Sequence, residues 1–156
     1  GATISVLYLV YGIAAVSGGG LGGIAADAVG KKQTLLTVII LLAASLFILP
    51  YATGNVYLFW LVVIFWGVMS WGITPAIQSH LIELAPETSD IQQSLNNAAL
   101  HFGIAFGTFF GSLVIKYGSI ENNAHFGIIF VVFAFISALL SLRESTSKVG
   151  KPVRTH

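Results

Sequence analysis

The sequence contains no cysteine. That excludes a disulfide framework, a thiolate metal site and a cysteine nucleophile. Charge is nearly as scarce: 8% of residues are charged and 56% are hydrophobic, against roughly 25% charged in soluble domains. A net charge of +1 offers no basic face to a nucleic acid. Methionine occurs once, at Met69, and the chain starts at Gly1, which reads as a fragment or a processed chain. The first apolar run has no basic leader and is followed by more apolar runs, which is not the pattern of a signal peptide.

The places where charge is missing are informative. Residues 1–26, 33–82, 91–115 and 122–142 hold no Asp, Glu, Lys or Arg. A charged side chain at the centre of a bilayer costs about 2.5–3.5 kcal/mol on insertion scales, and a crossing needs about 20 apolar residues. The gaps of 26, 25 and 21 residues fit one crossing each, and the gap of 50 fits two. The expected fold is therefore an all-α membrane protein with five transmembrane helices. They are expected at about Thr3–Ala26, Thr34–Tyr51, Val56–Leu84, Asp90–Tyr117 and Ala124–Leu142. Asp27–Gln33 and Ala85–Ser89 read as loops, and Ala52–Asn55 as a turn. Asp90 reads as an N-cap, and Pro75 predicts a kink in the third helix. Residues 1–142 form the membrane domain and 143–156 a polar tail.

Lys31, Lys32, Arg143, Lys148, Lys151 and Arg154 fall on one side of this arrangement and Lys116 alone on the other. The side richer in Lys and Arg is the cytoplasmic one. The C-terminus is then cytoplasmic and Gly1 external, and one further helix before Gly1 would return the start to the inside.

Helices 2 and 5 are almost uniformly apolar and read as lipid-facing. Helices 1, 3 and 4 are not. On helix 4, Ala99, Gly103, Gly107 and Gly111 recur every fourth residue, a spacing that lets helices approach closely in lipid. Roughly opposite lie Ser94, Asn97, His101, Thr108 and Ser112, a stripe that belongs against protein or a wet cavity. Interhelical hydrogen bonding and a cavity wall both account for it. His101 sits about 16 Å into the helix at 1.5 Å per residue, near mid-membrane.

Trp60, Gly67, Trp71, Thr74 and Gln78 share a side of helix 3. Aromatic rings with a few polar groups suit an amphiphilic small molecule, although Trp60 fits an interfacial aromatic belt better. His80 and Glu83 lie near the helix end, within reach of water. Helix 1 carries Gly18, Gly19, Gly20, Gly22 and Gly23, which suits tight packing or flexing; Tyr8 and Tyr11 share its small-residue side. The glycines are no phosphate cradle, because Gly30-Lys31 is followed by Lys32 rather than Ser or Thr.

The most specific segment is Gly23-Ile-Ala-Ala-Asp27-Ala-Val-Gly30-Lys31-Lys32. It resembles the loop signature of the major facilitator superfamily, G-x-x-x-D-[R/K]-x-G-[R/K]-[R/K]. Gly23, Asp27, Gly30, Lys31 and Lys32 match, and Ala28 departs where the family usually has a basic residue. Downstream, Leu84-Ala-Pro86-Glu87 and the pattern Asn96/Asn97…Gly103…Gly107…Gly111 are similar to the loop and eleventh helix of drug and sugar efflux members. These are the proton-antiporter group that includes arabinose-efflux-type permeases.

The resemblance implies that the five helices correspond to the eighth to twelfth of a twelve-helix transporter, with the first helix of this half and the whole N-terminal half missing. It implies alternating-access export of small organic solutes, coupled to protons, across the plasma membrane. Helices 1, 3 and 4 would line the cavity and helices 2 and 5 would be peripheral. The cavity candidates are then Tyr11, Trp71, Thr74, Gln78, Asn97, His101 and Thr108, with Gly103, Gly107 and Gly111 for packing. A small polytopic assembly subunit would share the glycine face without needing a cavity. An enzyme would need a converging set of groups; His80, His101 and His125 lie at different depths, so neither a metal site nor a cofactor is expected.

Overall fold

The computed structural model describes residues 2–149. Five long helices follow in order: α1 (Ala2–Val29), α2 (Lys31–Ala52), α3 (Val56–Leu84), α4 (Ser89–Tyr117) and α5 (Ile120–Val149), with a short 3-10 turn at Pro86–Thr88 before α4. No strand occurs among the described residues. All five helices are long and apolar enough to cross a membrane.

The first expected loop, Asp27–Gln33, contracts to a single residue. Gly30 has φ 96° and ψ 145°, a region that is essentially glycine-only. Both helices therefore run right up to it, and its carbonyl accepts from the Thr34 N–H at 3.0 Å. The next turn is closed by Asn55, whose Oδ1 accepts from the N–H groups of Tyr57 (3.0 Å) and Leu58 (3.2 Å). That satisfies two of the four free donors at the start of α3. Asp90 is not an N-cap: the cap position belongs to Thr88, and Asp90 stands in the first turn of α4, where its charge suits the helix dipole. α3 continues through Pro75, although proline cannot donate to the Trp71 carbonyl. α5 extends past Leu142 to Val149, and residues 150–156 of the expected tail lie outside the described residues.

α3 packs most extensively against α1 and α2, α2 also packs on α5, and α4 touches α5 and α3 lightly. Lipid tails are as apolar as leucine, so burial alone does not hold these helices together; close van der Waals contact does. Glycine supplies it between α1 and α3. A methyl group added at Gly18 would run into the Val68 backbone, and one added at Gly22 would run into the Gly72 backbone. A Cβ at Gly67 would stand 3.0 Å from the Ala14 Cβ. The glycines expected to matter on α4 behave differently: Gly103 and Gly107 face open space within this chain, and Gly111 alone approaches a neighbour, Asn123 of α5.

The expectation of a lipid-facing helix changes for α2, while α5 buries little beyond Leu142. Leu35 and Ile39 of α2 join Leu142 of α5 in a buried core cluster, with Ile73, Ile77, Val131 and Phe135 packed on it. α4, the most polar of the spans by pattern, buries no residue at all. Apolar helices pack on each other as readily as on lipid, so lack of polarity did not identify a peripheral helix. A polar stripe identifies a face that needs a partner, and none of the described residues provides one.

Candidate functional site

The turn between α1 and α2 carries the loop signature. Lys31 forms an ion pair with Glu83 at the far end of α3, and its Nζ lies 3.5 Å from the Ser79 carbonyl. The pair ties the α1–α2 turn to the end of α3. Lys32 is exposed. Asp27 is exposed in the last turn of α1 and has no partner among the described residues. A carboxylate there opposes the helix dipole, so its position is unfavourable unless something outside this chain meets it. Gly23 is half-buried, and a Cβ there would make only an ordinary contact with Pro75 at 3.9 Å.

The polar stripe of α4 is exposed along Ser94, Asn97, His101, Thr108 and Ser112. Its hydroxyls are satisfied within their own helix: Ser94 donates to the Asp90 carbonyl at 2.8 Å, Thr108 to Ile104 at 2.8 Å and Ser112 to Phe109 at 2.7 Å. Such back-bonding is what lets hydroxyls sit in a helix without a neighbour. Asn97 and His101 have no such outlet, and neither has a hydrogen-bond partner among the described residues. Interhelical bonding inside this chain therefore does not account for the stripe. An amide and an imidazole are left facing outward at membrane depth, where unmet polar groups are costly against lipid.

The α3 and α1 candidates separate. Trp71 and Gln78 are exposed on α3 and Thr74 is half-buried. Tyr11 instead packs in the α1–α3 contact, its ring 5.0 Å from that of Trp66 and against Gly67. None of the seven cavity candidates lines the groove between α1, α2 and α3 or the cleft among α2–α5. They lie on outward faces of α3 and α4 and, for Tyr11, in a helix contact. The cleft among α2–α5 has a volume of about 570 Å³ and is mostly apolar, with His80, Asn96, Ser137 and Ser141 on its walls. His80 is expected within reach of water from its place near the helix end, yet its Nε2 is buried without a partner among the described residues. Its position four residues before the end of α3 is compatible with either placement.

No group of three or more metal-ligating side chains is assembled among the described residues. What the chain offers is a bilayer-length wall with polar groups turned outward. The family model described as Major Facilitator Superfamily matches residues 1–155. The chain belongs to the Major Facilitator Superfamily. Its relatives in the superfamily include the "Uncharacterized MFS-type transporter YbcL" of Bacillus subtilis, 27% identical over 98% of this chain and 39% of that protein. A "Probable sugar efflux transporter" of Pasteurella multocida is 27% identical over 78% of this chain and 32% of its own length. Another of the same description, from Helicobacter pylori (strain G27), is 26% identical over 71% of this chain and 28% of that protein. No solved structure matches. The chain spans about two-fifths of the Bacillus relative's length, so it corresponds to part of a superfamily transporter as those relatives are built.

Proposed function

We propose that this chain is one wall of a secondary transporter that exports small organic solutes by alternating access. The polar face of α4 and the exposed Trp71 and Gln78 of α3 would border the solute path. The observation that carries this reading is the state of Asn97 and His101: exposed at membrane depth, with no partner among the described residues. Such groups are retained where they meet a solute, water or another protein segment. Repeats of transporters bind near the midplane and rock against each other, and a wall with its polar side open suits that use. The printed names of two relatives point to sugars, and an amide, an imidazole and an indole are groups that bind hydroxylated or amphiphilic solutes.

In this reading the helices stand for the eighth to twelfth of twelve, the missing helix and N-terminal half complete the path, and the C-terminus is in the cytoplasm of a plasma-membrane protein. Protons drive export. No Asp or Glu sits at mid-depth in this chain, so His101 is the local group suited to carry or sense a proton, and coupling carboxylates belong to the other half.

The test is solute accumulation in inverted membrane vesicles carrying the full-length transporter. His101→Ala and Gln78→Ala are expected to cut uptake at least about tenfold at unchanged abundance, and collapsing the pH gradient should abolish it. Wild-type uptake by both variants would remove these faces from the solute path.

A further inference from the structure

Pro75 stands inside α3, close to the middle of that 29-residue span. A carbonyl in an α-helix points along the axis and accepts from the N–H four residues on. Proline has no N–H, so the Trp71 carbonyl lacks the donor that its neighbours keep. A freed carbonyl is costly at membrane depth, and a nearby hydroxyl or a water usually meets it. Neither nearby hydroxyl does so here. Ser70 donates to the Trp66 carbonyl at 2.7 Å, and Thr74 makes no side-chain hydrogen bond among the described residues. No described side chain donates to the Trp71 carbonyl.

This acceptor lies on an open side of α3. Trp71 is 43% exposed, while Pro75 is half-buried with its Cβ beside Gly23 of α1. At 100° per residue, Trp71, Thr74 and Gln78 fall within an arc of about 60°. Gln78 is exposed and Thr74 half-buried, and neither side chain has a hydrogen-bond partner among the described residues. Side chains on a helix lean toward its N-terminus, so those one and two turns on lean back toward the level of the Trp71 carbonyl. One side of α3 thus carries an indole, a hydroxyl, an amide and a backbone oxygen that can only accept.

We propose that the Trp71 carbonyl, kept open by Pro75, accepts a hydrogen bond from the transported solute, and that the solute is a polyol. One hydroxyl donates to the carbonyl while a C–H face lies against the Trp71 indole. A solute with acceptors alone leaves the carbonyl unmet, and a sugar ring supplies both the donor and the apolar face. The printed names of two relatives point to the same class. Pro75 is a positioning residue, because it acts through the carbonyl that it leaves free. The inference rests on the transport reading above and adds to it a requirement on the chemistry of the solute.

The experiment is a double-mutant cycle between protein and solute, in inverted vesicles carrying the full-length transporter. Radiolabelled pentoses and hexoses are screened for accumulation, and the accumulated sugar is competed with its singly deoxygenated derivatives. In the wild type, one derivative is expected to compete about fivefold less well than the parent sugar, the weight of one hydrogen bond. Pro75→Ala restores an N–H four residues after Trp71 and keeps the Cβ beside Gly23. It is expected to weaken the parent about fivefold and to leave that one derivative unchanged, so that the two compete equally. Pro75→Ser supplies the same N–H and is read in its place if the alanine variant does not accumulate. A variant that handles the parent as the wild type does, or that weakens the parent and every derivative by the same factor, overturns the proposal. If Gln78→Ala still loses uptake in that case, the transport reading stands without it. Accumulation of no sugar overturns the polyol assignment, whatever other solute is carried.

Discussion

Glycine 30 shows how much one residue can decide. Its φ of 96° and ψ of 145° let two membrane helices meet with no loop between them. Any side chain there costs about 1–3 kcal/mol of backbone strain. Gly30→Val is therefore expected to lower the thermal midpoint of the purified protein by several degrees, and an unchanged midpoint would contradict the strained turn. The Lys31–Glu83 pair next to it is a smaller matter. The Glu83 side chain is 65% exposed, and exposed pairs are worth about 0.2–1 kcal/mol. Glu83→Gln should cost less stability than Gly30→Val in the same measurement, and a larger loss would mean that the pair is shielded from water by something beyond this chain. Gly30 was legible in the sequence, because the signature spacing and the glycine named the turn. Lys31 was read as a topology marker; its partner is 52 residues away, and no local pattern encodes that distance.

At the scale of the helix, the five spans were legible because the cost of charge in a bilayer is large compared with any local preference. Their neighbours were not. Gly18 and Gly22 form the tight crossing with α3, whereas a Cβ at Gly103 or Gly107, also at four-residue spacing, would meet nothing among the described residues. Spacing shows that close approach is allowed; it does not show that a partner is present. Gly22→Leu should therefore abolish accumulation of the folded protein, because it drives into the Gly72 backbone of α3. Gly107→Leu should leave the five helices intact among themselves. Comparing the two in this chain and in the full-length protein, by yield in mild detergent, shows where the α4 face is used. Loss of Gly107→Leu only in the full-length protein is the expected result, and loss in both would mean that α4 packs against these helices more tightly than its open flank indicates.

At the scale of the molecule, the polarity of a helix does not predict its burial: α2 is the most buried span and α4 the least, but the equally apolar α5 is buried less than α1 or α3. The apolar α2 and α5 supply the buried cluster around Leu35, Ile39 and Leu142, and the polar-striped α4 buries nothing. An α4 that buries nothing agrees with the proposed role as one wall of a transporter, since the chain covers 39% of the Bacillus relative's length. The central claim is that the α4 stripe borders water and solute rather than lipid. The direct measurement is alkylation by a small, membrane-impermeant thiol reagent of single-cysteine full-length transporters. This chain contributes no cysteine of its own. His101→Cys is compared with Val132→Cys, which is on α5 and 50% exposed. The account predicts that His101→Cys is labelled, that a transported solute slows its labelling, and that Val132→Cys stays unreactive as a lipid-facing site. Equal lack of reaction at both positions would contradict it.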